Sequence, residues 1–590
     1  MISSGQKRCF LMSISLFLLA TTLFVFMPAL KSEPFFDKLY SNDISTYTSR
    51  FNKSVKKSAF ATVLCDTTMT EAILVSIYSL KSAMNTTTSS TSQSDILVVV
   101  PDTLELSESV LTHIKLLNVI IVRGKILHES VAKDSCGTAL TLWSLVDYHK
   151  IVYFSPNVFF KQNPHTLLEF PRNAVMVLSD NYEPIYGSLI VIEPSRDILE
   201  YDAELYDVEI ERIPISDYLQ ETILSWDRII MMPLSLLDEN ILIFKDATKP
   251  WNFHKYGKQD WRSSYEPSEY YTWRQAHTLL KNFLSLGSPG WANQNRQRDI
   301  CDKVAPNSTS HTFPLQNKFS VLLSTYNPER IEHISLLIRH LLRSSKVHAV
   351  YVTWHNPALE VPPSLLEALT SIERERVHIL RQEYDSLNNR FNPIASLLTD
   401  SVYIMDDDIF MDLGDLEFTY QTWQAQKDNA VGHFPRYHTF DPELQTGTYK
   451  VPYGQKMQYS MVLTKSMFVR SDYLFAYTCL LDQDMHRIID DRLNCEDIAF
   501  SMLATGWTGA GPTSVTPQKP VSDFGLDLGI SLSVGHMDAR AECIVDFIGQ
   551  FWDGQDPLIM AYNTIVPYRR TSLRRGKWES IKSQVSKYGI

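Results

Sequence analysis

Three absences constrain this sequence from the start. It contains no Cys-x-x-Cys pair and no Cys/His spacing of the zinc-binding kind, which excludes a structural zinc module. It contains no Gly-x-x-x-x-Gly-Lys loop, so the backbone cradle that P-loop phosphotransferases and nucleotidyltransferases use for phosphates is missing. Positive charge is also short. With 55 Lys and Arg against 67 Asp and Glu, the formal charge is -12, and no global attraction draws the chain to nucleic acid.

Charge is missing locally as well. After Lys7 and Arg8, the run from Cys9 to Leu30 has only Ser and Thr as polar residues. At about 1.5 Å per residue it is long enough to cross about 30 Å of hydrocarbon. The basic flank favours a cytoplasmic N-terminus, and Met27-Pro28-Ala29-Leu30 is a poor cleavage site, so residues 1–31 read as a tail and uncleaved signal anchor. The rest of the chain is then lumenal. Sequons at Asn52, Asn85 and Asn307 agree, and Cys65, Cys136, Cys301, Cys479, Cys495 and Cys543 fall in a compartment that permits disulfides.

With 590 residues, 44% of them apolar, the chain exceeds what one core usually organises. Residues 32–58 have no clear period and read as a stem. From Ala59 apolar strands alternate with helical stretches: strands over Ala59–Leu64, Ile96–Val100, Val119–Val122 and Lys150–Phe154, helices over Thr70–Lys81, Thr141–Asp147 and Trp273–Leu286. Such alternation argues for a mostly parallel sheet covered on both faces. Residues 291–317 are polar and read as a linker. The alternation then resumes. Strands are expected over Phe319–Leu323, Ala349–Trp354, Val377–Leu380 and Ser401–Met405, with helices over Glu332–Arg343, Ser364–Leu369 and Asn392–Leu398. The expected fold is α/β, with two Rossmann-like domains in tandem (59–290 and 318–570) behind a transmembrane helix, and a basic tail over 571–590.

The sharpest chemical signal lies in the second block. Val402-Tyr-Ile-Met405 leads into Asp406-Asp407-Asp408, which sets three carboxylates at the carboxyl edge of a sheet, where open α/β sheets bind ligands. A divalent cation bridging to a diphosphate would relieve their repulsion; a solvated turn would accommodate the same triplet. Upstream, Arg390 in Ser386-Leu-Asn-Asn-Arg-Phe391 can reach a pyrophosphate or simply pair with a carboxylate. The loop Ser324-Thr325-Tyr326-Asn327-Pro328 can hold a uridine or serve as a plain strand-to-helix turn. Aromatic residues near His433–His438 and Tyr449–Tyr459 suggest an acceptor cleft containing Arg436 and His438, although packing explains most of them as well.

These segments resemble, in order and spacing, the exostosin-like transferases of glycosyltransferase family 64. The resemblance runs from Phe319 to Phe551 and also includes Val352-Thr-Trp-His-Asn356, Gln458-Tyr-Ser-Met-Val-Leu463, Asn494-Cys-Glu-Asp-Ile-Ala499 and His536 with Arg540-Ala-Glu-Cys543. It implies a GT-A fold, a UDP-HexNAc-type donor, Mn²⁺ with Mg²⁺ as a substitute, and transfer with retention to a glycan, glycoprotein or glycolipid acceptor. It also implies a Golgi or endoplasmic reticulum membrane location, single-pass type II, and is compatible with a dimer or transferase complex.

Carried over by position, the resemblance implies donor contacts at Ser324, Tyr326, Asn327, His355, Asp385, Asn389, Arg390, Asp406, Asp407, Asn494 and Glu496. It makes Asp408 the metal ligand, Asp497 the catalytic carboxylate, Arg540 the cation near the leaving diphosphate, and Cys495–Cys543 a disulfide. The chain departs from the pattern at Ser324, Pro328, His355 and Glu496, and Arg330 is positioned to replace the Arg missing at 328. The first block faintly resembles glycogenin-like family 8 transferases around Tyr148–Phe160. Ser155-Pro156-Asn157 stands where that family has Asp-x-Asp, so a pseudo-enzyme is expected there. The competing reading for the whole chain is a noncatalytic lectin-like or scaffolding subunit.

Overall fold

In the computed structural model of the chain, Ala59 to Val63 are buried at every position, which requires a strand covered on both faces. This strand, β1 (Ser58–Val63), belongs to a seven-stranded sheet with β2 (Asp95–Pro101), β3 (Ile120–Gly124), β4 (Lys150–Phe154), β5 (Ala174–Met176), β6 (Leu189–Ile192) and β7 (Ile230–Met232). The order is β3-β2-β1-β4-β6-β5-β7. The first four strands are parallel, β6 runs antiparallel to both neighbours, and β5 and β7 are parallel.

A second sheet repeats the plan. It holds β8 (Phe319–Thr325), β9 (Val347–Trp354), β10 (Val377–Arg381), β11 (Ser401–Asp406), β12 (Val431–Gly432), β13 (Ser466–Arg470), β14 (Thr513–Val515) and β15 (Thr564–Ile565). Its order is β10-β9-β8-β11-β13-β12-β14-β15, and apart from the added β15 it matches the first sheet in order and strand direction. The chain leaves β8 toward β9 and β10, then returns to β11 on the other side of β8. The crevice above β8 and β11 is therefore the point where the winding reverses.

The structure describes residues 57–85, 94–124, 141–170, 174–176, 188–195, 230–232, 240–244, 249–252, 254, 267–285, 300–304, 313–367, 369–452, 458–519, 521–523, 535–561 and 564–565. The expected membrane run, nearly all of the stem and the basic tail lie outside them. Among the described residues no helix is long and apolar enough to cross a membrane.

Helix α1 (Thr70–Asn85) packs on α2 (Pro267–Ser285), and α2 also meets a buried π-helical turn, Ala476–Leu480, that belongs with the second sheet. Helix α3 (Ile331–Leu342) buries Ile331, Ile334, Leu337, Ile338 and Leu341, the one-sided stripe that covers a sheet. The site is framed by α4 (Gln483–Arg492), α5 (Glu496–Thr508) and α6 (His536–Phe551).

Two expectations need correction. Asn392–Leu398 is not helical; a 3₁₀ turn over Leu387–Phe391 stops at Asn392 (φ -58°, ψ 129°), because the ring of Pro393 excludes the helical region for the residue before it. The stretch 291–317 is not a free linker either. Cys301 is buried and disulfide-bonded to Cys479, and Leu315 bridges to Thr399.

Close packing between the two halves explains a glycine inside a buried helix. A Cβ on Gly506 of α5 would lie 2.2 Å from the His254 carbonyl oxygen and 3.0 Å from Trp552 Nε1. Gly506→Ala is expected to destabilise the fold by about 1–3 kcal/mol through overpacking. Gly549→Ala in α6, where nothing among the described residues lies within 4 Å, is expected to be neutral or stabilising by up to ~1 kcal/mol. Thermal unfolding of the two variants checks this contrast.

Candidate active site

Strand β11 is buried from Ser401 to Met405 and delivers Asp406, Asp407 and Asp408 to the carboxyl edge of the second sheet. The parallel register sets Ser324 opposite Asp406, which brings the loop after β8 against the acidic turn. Asp407 is buried and accepts hydrogen bonds from Thr325 Oγ1 (2.7 Å) and from Arg330 Nη1, which also lies 3.4 Å from Asp408.

These contacts only partly offset the cost of confining three carboxylates. Burial first, then the charges of Asp406 and Asp407, push Asp408 up to about 6, against the opposing pull of Arg330. Burial likewise raises Asp407. Hard oxygen ligands whose charge is only partly neutralised suit Mg²⁺ or Mn²⁺; Asp406 Oδ1 makes no aligned hydrogen bond among the described residues, and Arg390 Nη1 at 3.2 Å offsets part of its charge. The residues present therefore fit a divalent cation.

The 3₁₀ turn Leu387–Phe391 is capped by Ser386, whose hydroxyl accepts from the Asn388 amide at 3.1 Å. It buries Arg390 between two carboxylates, with Nη1 3.2 Å from Asp406 and 3.7 Å from Glu496, while donating to Thr464 Oγ1 at 2.8 Å. Arg390 Nε and Glu496 Oε2 have no hydrogen-bond partner among the described residues. His355 is buried at the end of β9. Burial, then Arg390, lower it to about 3, so it stays neutral, with Nδ1 3.2 Å from the Ser386 carbonyl and Nε2 unpartnered.

Opposite this wall, α5 carries Glu496 and Asp497 in its first turn, where the helix dipole favours anions. Asp497 Oδ2 accepts from Arg540 Nη1 at 2.6 Å, and Oδ1 accepts from the Ile498 amide at 2.9 Å. Arg540 also donates to Tyr449 Oη (2.7 Å) and His536 Nε2 (3.0 Å), and its guanidinium lies 4.9 Å from the Tyr449 ring centroid. The disulfide Cys495–Cys543 joins α5 to α6 and so ties the Asp497 turn to the Arg540 helix.

Arg390 thus links Asp406 to Glu496, which adjoins the Asp497–Arg540 pair in the first turn of α5. Other expected residues are placed differently. Ser324 is buried beneath the loop, Tyr326 is half exposed, and Asp385 is exposed at the rim. The Asn327 side chain accepts from the Glu329 amide (2.9 Å) and caps the turn that carries Arg330. Asn389 donates to the Tyr384 carbonyl (2.7 Å), and Asn494 donates to the His536 carbonyl (3.2 Å); both hold loops in place.

His438 is not in an acceptor cleft. It is buried, with Nδ1 2.7 Å from Ser460 Oγ and Nε2 2.7 Å from Asp556 Oδ2. Thr464 is a site residue that the sequence did not single out, and Thr325 was expected only as part of the loop after β8, not as a partner of Asp407. Neither sits in a charged pattern, and only the register of strands distant in sequence brings them to the carboxylates and to Arg390.

The Glycosyl transferase family 64 domain pattern matches residues 319–568. A curated relative, "Glycosyltransferase family protein 64 C3" of Arabidopsis thaliana, is 32% identical over 289 residues, spanning 45% of this chain and 85% of that protein. "Glycosylinositol phosphorylceramide mannosyl transferase 1" of the same plant is 29% identical over 296 residues, spanning 48% and 83%. Human "Exostosin-2" is 31% identical over 242 residues, spanning 40% of this chain but 33% of its own length.

The raised Asp408 fixes a sign for stability. Between the ordinary carboxylate value of 3.8 and about 6 the unfolded chain has released a proton that the folded chain retains, so stability falls as pH rises through this window. Asp408→Asn is expected to stabilise the cation-free protein at pH 7.5 by about 1–3 kcal/mol and to have little effect near pH 3.5. Thermal melts in chelator at the two pH values check it.

Proposed function

The chain belongs to glycosyl transferase family 64, and from this we propose that residues 318–570 form a GT-A-type site transferring a sugar from a UDP-sugar, with retention, to a glycan or glycolipid acceptor. The single observation that carries the proposal is the bridging position of Arg390. It joins the acidic turn of β11 to Glu496 of α5, which supports reading the cation-suited group and the adjoining Asp497–Arg540 pair as parts of one site.

Asp406 and Asp408 would hold Mn²⁺ or Mg²⁺, with Asp407 behind them held by Thr325 and Arg330. Such an ion supplies Lewis-acid stabilisation of a departing diphosphate. Arg390 and Arg540 present fixed cations to the negative charge that develops on the leaving group, in a cleft where burial strengthens the interaction. Asp497, oriented by Arg540 and by its own helix turn, stabilises positive charge at the anomeric carbon and orients the incoming hydroxyl. His355, with a neutral Nε2 that has no hydrogen-bond partner among the described residues, is a candidate donor contact.

UDP-GlcNAc and UDP-GalNAc head the list of donors. One relative carries mannosyl transferase in its name, so a mannose nucleotide belongs in the same screen. The matching strand order of the first sheet supports reading residues 59–290 as a second GT-A-like domain. Ser155 closes the turn after β4 on itself, since its hydroxyl accepts from the Asn157 amide (3.3 Å) and its carbonyl from the Val158 amide (3.1 Å); no carboxylate is offered there. That supports a noncatalytic role. The charge-free run at Cys9–Leu30 supports a lumenal placement behind a membrane anchor, and the family supports the Golgi as the compartment.

The test is nucleotide release by the detergent-solubilised full chain with Mn²⁺, across UDP-sugars and GDP-mannose. The wild type should release UDP from at least one UDP-sugar, and Asp497→Ala and Asp408→Asn should each lower the rate by about 10²–10³. Unchanged turnover in either variant rejects the assigned site. Silence with every donor favours the scaffolding reading.

A further inference from the structure

The turn that carries Arg390 rests on a segment that the first half of the chain grips. Tyr477 Oη donates to Asn388 Oδ1 (2.6 Å), Thr478 Oγ1 donates to the Phe391 carbonyl (3.0 Å), and the Phe391 and Tyr477 ring centroids are 4.3 Å apart. From α4, Asp490 accepts from Asn388 Nδ2 (2.8 Å) and from Ser386 Oγ, and the His486 carbonyl accepts from Asn388 Nδ2 (3.1 Å). Every polar group that fixes Asn388 therefore comes from residues 386 and 477–490.

That segment is fastened from the other side. Lys281 Nζ of α2 lies 2.7 Å from Asp482 and 3.3 Å from Asp484, and Arg274 Nη1 lies 3.6 Å from Asp482. Asp482 caps α4, and although burial opposes its ionisation, Lys281 and Arg274 hold it well below the usual carboxylate range. The disulfide Cys301–Cys479 and an edge contact between Tyr271 and Phe475 (6.1 Å) add to the grip. Arg274 donates to His277 Nδ1 (3.0 Å), which leaves His277 Nε2 to carry its proton toward Glu71 of α1. With no lone pair on Nε2 and two cations nearby, this cluster is an ion-pair lock and not a metal site. Lys281, Arg274 and Cys301 all lie outside residues 319–568, and the 85% of the first plant relative spanned by this chain leaves little length there for such a lock.

We propose that α2 and Cys301, from the first half of the chain, position the donor side of the transferase site: by clamping residues 476–490 they hold the 387–391 turn, and with it Arg390, in register with Asp406 and Glu496. Lys281, Arg274 and Asp482 are thus positioning residues for donor binding, remote from the chemistry. This rests on the transferase reading for its kinetic consequence but not for its structural one.

The experiment pairs hydrogen exchange with kinetics on the full-length Arg274→Ala/Lys281→Ala variant and, separately, on Thr478→Val, which leaves the ion-pair lock intact. Amides of 387–391 should exchange about tenfold faster in both, while those of β8 and β11 are unchanged. Donor KM should rise about fivefold with kcat within about twofold of wild type. If Arg274→Ala/Lys281→Ala fails to fold, Lys281→Met carries the same expectation at smaller amplitude. Unaltered exchange at 387–391 in the folded variants, or equal loss of kcat and kcat/KM, overturns the proposal. A wild type that turns over no donor defeats the proposed function alone, because the exchange result still decides the positioning.

Discussion

The organising constraint is the confinement of like charge at the end of a buried strand. Val402 to Met405 have no exposure to spare, so the three carboxylates that follow are carried into a partly desolvated crevice. There they repel one another, and burial raises the cost of ionising Asp407 and Asp408. Arg330 and Arg390 neutralise part of this charge, from the loop after β8 and from the 387–391 turn. Each is a long side chain brought in from a segment distant in sequence, so the winding of the sheet and the charge balance depend on each other. The residual cost of ionisation is a stability concession of the kind that functional sites make.

The cations are themselves constrained. Arg390 has a single buried pose because the turn beneath it is hydrogen-bonded to the π-helical turn and to α4, and that support is tied to Cys301 by a disulfide and to α2 by Asp482 with its two cations. Arg540 is fixed from the opposite side by Tyr449, His536 and the Cys495–Cys543 bridge. The cleft is therefore rigid on both walls. Such rigidity keeps charged groups ready for a transition state without reorganisation.

Much of this was legible in the chain. Apolar runs such as Lys150–Phe154 and Phe319–Leu323 mark strands because both faces of a parallel sheet are buried, and the structure follows them closely. The acidic triplet and Arg390 stood out because charge beside an apolar run is costly without a purpose, whereas Asp497 and Arg540 were named through the resemblance to family 64. Other features were illegible because they are properties of three-dimensional proximity. Nothing local in Cys301 or Cys479 announces their pairing across 178 residues, and Thr464 is an unremarkable turn residue until β13 sets it beside Arg390. The roles of Asn389 and Asn494 as loop fasteners, and the burial of His438, depend on backbone carbonyls and partners that no residue pattern reveals. Pro393 was the one local signal that the turn over 387–391 stops at Asn392.

The most direct test is a crystal structure with UDP and Mn²⁺, read at the manganese absorption edge. The account predicts one anomalous peak between the carboxylates of Asp406–Asp408 and the diphosphate, with Arg330 displaced from Asp408 and Arg390 still bridging to Glu496. An anomalous peak elsewhere, or a nucleotide bound away from the carboxyl edge of β8 and β11, would contradict it.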